Sequence, residues 1–280
     1  MFMKNSNLST DLSTRIPHIR SIFVILVHFG AKEVTDRALS SLMAGSKQPD
    51  HCIVVDHAEI PYKAPMGVHV VRSTKNSGYA AGLLVGIHHA KSLGAKSHDI
   101  CVLANNDLVF DSAGIEHLAQ WWSERFSNTL AGISWGALSL ITGRAIITGS
   151  SLSSSLLVIP YIHGSCMVLE WGYAMNITFP TDLFMYWEDV ALSLRVKRMC
   201  GVLERIPFPL AAHSDTPEIV SAEKLYFLVR NGAYVLEHEL LFAWRLWWKS
   251  MNTLRRMYHA LCSGSSHKIV LRALKDATTL

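Results

Sequence analysis

The chain has 280 residues, of which 50% are hydrophobic and 17% charged, with a mean hydropathy of +0.22. That excludes disorder, allows a large buried core, and leaves some apolar surface to face a membrane or a partner. The net charge of +4 is carried by the C-terminal end: residues 240–280 sum to +6, which leaves −2 for residues 1–239. No nucleic-acid partner is expected.

Residues 1–20 form a polar, Ser/Thr-rich segment without an apolar stretch, which predicts no secretory signal and a cytoplasmic protein. The apolar run Ser21–Val27 is too continuous for a half-exposed strand and is read as a buried parallel strand. A helix is expected over Val34–Met43, then strands at His51–Asp56 and Val68–Val71. A second helix, Ala80–Leu93, is closed by Gly94 and precedes a strand at Asp99–Ala104. Alternating strands and helices predict a doubly wound α/β sheet, whose ligands sit outside the carboxyl ends of the strands. Asp56 and Asn105-Asn106-Asp107 fall at such ends.

From Phe126 to Leu169 the only formal charge is Arg144, and the Ser150–Ser155 patch is read as a mobile loop. The five cysteines show no C-x-x-C spacing and are read as reduced core residues. Leu240, Trp244, Trp247, Met251, Leu254, Tyr258 and Leu261 recur at spacings of four and three, giving one apolar stripe along a helix. Seven Lys/Arg and no Asp/Glu lie between Leu240 and Lys275. Such a helix suits an anionic membrane interface, the catalytic domain or a homodimer seam equally well.

Three short segments carry the candidate chemistry. In Asn76-Ser77-Gly78-Tyr79-Ala80-Ala81-Gly82, two glycines bracket a helix start where backbone N–H groups can meet a phosphate or a ribose. In Asn105-Asn106-Asp107 a strand end offers hard oxygen ligands with one carboxylate, which binds a divalent cation only with help from substrate phosphates. In Tyr186-Trp187-Glu188-Asp189-Val190 two carboxylates follow an aromatic run at a helix start, where they serve either the helix terminus or proton transfer.

Taken in order with Val54-Val55-Asp56-His57-Ala58 and Arg230-Asn231, these segments resemble family 2 glycosyltransferases from Ile22 to Asn231, and most closely the rhamnosyltransferase-like branch that assembles bacterial surface polysaccharides. The resemblance implies a GT-A fold, Rossmann-like with a mostly parallel sheet flanked by helices, over residues 21–239. A basic amphipathic helical extension would follow over 240–280. It implies a metal-dependent inverting transfer, with Mg²⁺ or Mn²⁺, from a nucleotide-diphosphate sugar to a hydroxyl of a glycan or a lipid-linked acceptor. By the same resemblance Asp56 recognises the base, and Asn76, Gly78 and Asn106 line the nucleotide pocket. Asp107 holds the metal, with His213 at a position sometimes used as a metal ligand, and Arg230 neutralises the diphosphate. Asp189 is the base, with Glu188 holding an acceptor hydroxyl or the helix start, and His163-Gly164-Ser165 borders the acceptor. The chain departs from the pattern at His57-Ala58-Glu59, Leu84 and Ala191. The expected location is cytoplasmic, at the inner face of the cell membrane. A sugar nucleotidyltransferase and a non-catalytic carbohydrate-binding protein are the alternatives.

Overall fold

The computed structural model describes residues 20–73, 75–148, 157–213 and 221–280. The N-terminal polar segment up to residue 19 and the Ser150–Ser155 patch lie outside the described residues.

The elements follow in the order β1 (Ile22–His28), α1 (Lys32–Met43), β2 (His51–Asp56), β3 (Val68–Arg72), α2 (Tyr79–Ser92), β4 (Ile100–Asn105), β5 (Leu108–Phe110) and α3 (Gly114–Trp122). Then come β6 (Thr129–Gly132), β7 (Trp135–Ser139), β8 (Ala145–Thr148), β9 (Val158–Ile162), β10 (Cys166–Glu170), α4 (Trp171–Asn176) and α5 (Glu188–Arg198). The chain continues through β11 (Val202–Arg205), β12 (Ala211–His213), α6 (Ala222–His238), α7 (Phe242–Leu261) and α8 (Ser265–Asp276).

A seven-stranded sheet runs in the order β11-β6-β10-β4-β1-β2-β3, and only β10 is antiparallel to its neighbours. β1 shows why the continuous apolar run was needed. Successive strand side chains point to opposite faces, so Ile22, Val24 and Leu26 enter the core under α1 and α3. Phe23 and Ile25 enter the second core under α2, α4 and α5. α2 approaches the sheet through Gly86, where a Cβ would lie 2.3 Å from Ile25 Cγ2. α2 ends as expected, with Gly94 at φ +91° and its following amide bonded back to Ala90.

Two small antiparallel units stand on this frame. β12 pairs with β5 so that His213 faces Leu108 in register, beside Asp107. β8, β7 and β9 form a three-stranded sheet beside the cavity. A third core joins that sheet to α5, α6 and α7 through Leu138, Leu140, Tyr161, Leu194, Leu236 and Trp248.

The predicted strands and helices all occur, with ends displaced by a residue or two. The C-terminal segment departs more. The predicted stripe Leu240–Leu261 is α7, a second helix, α8, follows it, and both pack on α6. On α7 it is Trp248 that is buried, donating from Nε1 to Leu140 O at 3.1 Å, while Trp247 is exposed. The predicted stripe thus divides: Leu240, Trp244 and Met251 pack on the third core, whereas Trp247, Leu254, Tyr258 and Leu261 are exposed. Of the cysteines, Cys52, Cys101 and Cys166 are buried as free thiols, whereas Cys200 is exposed and Cys262 half-buried.

Candidate active site

A cavity of about 1430 Å³ opens at the carboxyl ends of β1, β2 and β4, lined there by Phe29, His57 and Asn105-Asn106-Asp107. Asn76, Gly78, Glu188, Asp189 and His213 line it too, so seven of the nine predicted site residues share one space.

Asp56 and Arg230 do not line it. Asp56 is fully buried, and its oxygens accept from Ala58 N (2.9 Å), Tyr62 N (2.9 Å) and Arg72 Nη1 (2.5 Å). Burial opposes its charge, but the two backbone N–H groups and Arg72 outweigh that and hold the carboxyl below its ordinary range. Its side chain therefore orders the segment after β2, and the cavity is reached by its neighbour His57. Arg230 donates to Asn231 Oδ1 (2.8 Å) and Asp182 O (3.3 Å) and lies over the Phe227 ring, 4.9 Å from its centroid. The cations that do line the cavity are Arg144, Lys224 and Arg255. Arg144 had a signal in the sequence, as the lone charge of an apolar stretch. Arg255 had none, because its position depends on how α7 packs.

On one side of the cavity Asn76 Oδ1 accepts from Gly78 N (3.0 Å) and faces His57 Nδ1 (3.0 Å). An oxygen accepting at both contacts makes His57 Nδ1 the donor, and burial, set against that hydrogen bond, lowers the His57 pKa. Gly78 sits at φ +96°, and a Cβ there would stand 2.1 Å from Phe184 O. Only glycine allows Tyr79 N to bond Phe184 O at 3.1 Å, and that bond ties the start of α2 to the acidic loop.

Across the cavity Asp107 pairs with His213, Oδ1 to Nδ1 at 3.3 Å. The contact lowers the Asp107 pKa and raises that of His213. Asn106 Nδ2 is held by Thr35 Oγ1 at 2.8 Å. Among the described residues no three His, Cys, Asp or Glu side chains converge on one point. A carboxylate oxygen beside an imidazole nitrogen still fits a divalent ion that takes its remaining ligands from a diphosphate.

The acidic loop is the strained part. Tyr186 and Trp187 adopt φ +65° and +71° immediately before α5, a conformation that costs non-glycine residues about 1–3 kcal/mol each. Three contacts hold it. The fully buried Asn231 donates to Met185 O (2.6 Å) and Tyr186 O (3.1 Å), the Tyr79 amide holds Phe184 O, and the Trp187 indole fills the space over Gly232. Asp189 Oδ2 accepts from Gly164 N (2.9 Å) and Oδ1 from Val190 N (2.8 Å). Glu188 Oε2 is buried without a hydrogen-bond partner. Burial raises both carboxyl pKa values. The Asp189 charge raises Glu188 further, while the nearby His163 and the two amides favour ionised Asp189.

No family model matches the chain, and no curated protein matches it. Solved structures do match in shape. A mannosyltransferase from Pyrobaculum calidifontis in complex with GDP-Man and Mn²⁺ superposes with a TM-score of 0.55 at 12% identity, over 94% of this chain and 75% of that one. S. aureus TarS residues 1–349 in complex with UDP-GlcNAc gives 0.55 at 14% identity, over 92% and 80%. A longer TarS chain gives 0.51 at 12% identity, and there this chain spans 43% of its partner. The chain shares their fold. At such identities the likeness concerns architecture alone, a GT-A-type sheet with its cavity at the strand ends.

Proposed function

We propose that the protein is an inverting glycosyltransferase that moves a sugar from a nucleotide-diphosphate donor to a hydroxyl of a glycan or lipid-linked acceptor. The observation that carries the reading is that Asp189, with its raised pKa, and the Asp107–His213 pair line the same cavity. An inverting transfer needs both parts, a base for the incoming hydroxyl and a counter-charge for the departing diphosphate. The fold shared with a mannosyltransferase bound to GDP-Man and Mn²⁺ supports it.

In this reading Asn76, Gly78 and the first turn of α2 hold the nucleotide, whose phosphates meet backbone N–H groups. Asp107 and His213 would hold Mg²⁺ or Mn²⁺. When bound, that ion supplies positive charge to the diphosphate oxygens. Asp189 accepts the acceptor hydroxyl's proton as that oxygen attacks the anomeric carbon from the face opposite the diphosphate, so no covalent enzyme intermediate forms. Its bonds from Gly164 and Val190 fix the carboxylate without using all its lone pairs. Bacterial surface polysaccharide assembly, by analogy with the rhamnosyltransferase-like branch, is the proposed setting.

A panel of UDP-, GDP- and dTDP-sugars, with and without Mn²⁺, should reveal a donor that raises the melting temperature by mass action. With that donor, Asp189→Asn should lose about 10²–10⁴-fold in transfer while calorimetric donor affinity stays within a few-fold. NMR of the product should show the opposite anomeric configuration. A retained configuration, or full transfer by Asp189→Asn, would overturn the mechanism.

A further inference from the structure

α7 is amphipathic in an unusual sense, because it is apolar on two faces. Trp244, Trp248 and Met251 turn inward on the third core, and buried Asn252 donates to Glu237 Oε1 at 2.9 Å, so that face is spoken for. On the opposite side Leu246, Trp247, Leu254, Met257, Tyr258 and Leu261 are between 48% and 89% exposed. At 3.6 residues per turn these six fall within an arc of roughly 120°. A helix facing only its own domain and water would carry polar residues there.

Charge decides between occupants of that face. Between Leu240 and Lys275 there are seven Lys/Arg and no acidic residue, with Lys249, Lys268, Arg272 and Lys275 exposed. A second copy meeting this face about a twofold axis would set the same positive charge against itself, since an isologous contact pairs a patch with its own copy. An anionic lipid surface accepts both features. The leucines and Met257 enter the acyl boundary, Trp247 and Tyr258 sit at headgroup level, and the lysines reach the phosphates. No helix among the described residues is long and apolar enough to cross a membrane. Contact through α7 would therefore be with the surface of a membrane.

We propose that the outward face of α7, with the basic residues of α7 and α8, docks the protein on an anionic phospholipid bilayer. The site opens close by. α7 also contributes Arg255 to the cavity wall, and the exposed Ile146 and Ile147 of β8 line the same cavity. Docking through α7 brings the cavity near the headgroups, where a lipid-linked acceptor would present its sugar. This proposal stands apart from the proposed reaction, because plain vesicles carry neither donor nor acceptor.

The test is co-sedimentation of the full-length protein with phosphatidylcholine vesicles and with vesicles containing 30% phosphatidylglycerol, alongside light scattering for oligomeric state. Binding to the anionic vesicles at least tenfold tighter than to neutral ones, weakened by salt, is expected. Leu254→Glu with Leu261→Glu should reduce it at least tenfold. Lys249→Glu with Lys268→Glu should do so too, without touching an apolar contact, and both variants should melt near the parent temperature. Equal binding to both vesicle types, or binding unaffected by either double variant, would overturn the proposal. So would a vesicle-indifferent dimer that Leu254→Glu with Leu261→Glu dissociates, which would give the face to a second copy.

Discussion

Glu188 occupies a position that a stability criterion alone would not choose. Its Oε2 is buried and unpartnered beside a second carboxyl, and its pKa is raised by burial and by Asp189. A carboxyl whose folded pKa lies above its unfolded value gives stability that is fully present below the unfolded pKa and is lost as the pH rises through the folded one. Glu188→Gln keeps the shape and removes that titration. The variant should therefore melt higher than the parent at alkaline pH, and the gap should narrow as the pH falls below about 8 and be closed once the ordinary carboxylate range is reached. Thermal unfolding between pH 4 and 9 checks this, and a constant gap would mean that the charge is not the cause. How far the site could be read from the sequence also differs residue by residue. That Asp107 and Asp189 would share one cavity was legible, because a strand end and a helix start are where the fold gathers its ligand-facing side chains. Asp56 sat at the right place with its carboxyl already committed. That commitment comes from the Tyr62 and Ala58 amides and from Arg72, its register partner across β2 and β3, and strand pairing leaves no mark on a single sequence.

Among the elements, α6 does two tasks. Its inner end closes the third core, and its Asn231 holds the acidic loop by two carbonyl oxygens. Asn231→Ala leaves those carbonyls without their donor and should cost about 1–3 kcal/mol in chemical denaturation. It should also relax Tyr186 and Trp187 from their left-handed geometry, so transfer should fall more than donor affinity does. Equal losses in both would assign Asn231 to the nucleotide side. The sheet elements were legible from apolar runs, since a strand buried on both faces has few alternatives. The phase of α7 was not. A helix apolar on two sides offers two stripes of nearly equal strength, and only packing against Leu140 and Gly143 selects the one through Trp248.

For the molecule as a whole, the contacts of α7 predict that the tail unfolds together with the rest of the chain. Trp248 joins α7 to the β7–β9 sheet, and Arg195 and Arg198 of α5 both pair with Glu239 at the end of α6. Trp248→Ala removes a buried indole and the donor to Leu140 O, at a cost of about 3–5 kcal/mol. The expected calorimetric trace is a single transition moved to lower temperature, with no early transition for α7 and α8 alone. Two separate transitions would show that residues 240–280 fold as an independent unit. The composition foresaw a basic tail with an apolar stripe and docking on the catalytic domain as one of its uses, but neither α6 as the docking site nor the second helix α8 could be read from periodicity.

The loop ahead of α5 is held by its main chain. The carbonyls of Phe184, Met185 and Tyr186 take the bonds from the Tyr79 amide and Asn231, while the side chains of the same three residues line the cavity. Clamp and wall are thus written in separate alphabets. Mutation at these three positions can reshape what the cavity admits without dismantling the support under Glu188 and Asp189. Under the proposed function, acceptor preference is accordingly expected to drift faster across descendants of this chain than the reaction itself, and Gly78 and Asn231 are where that freedom stops.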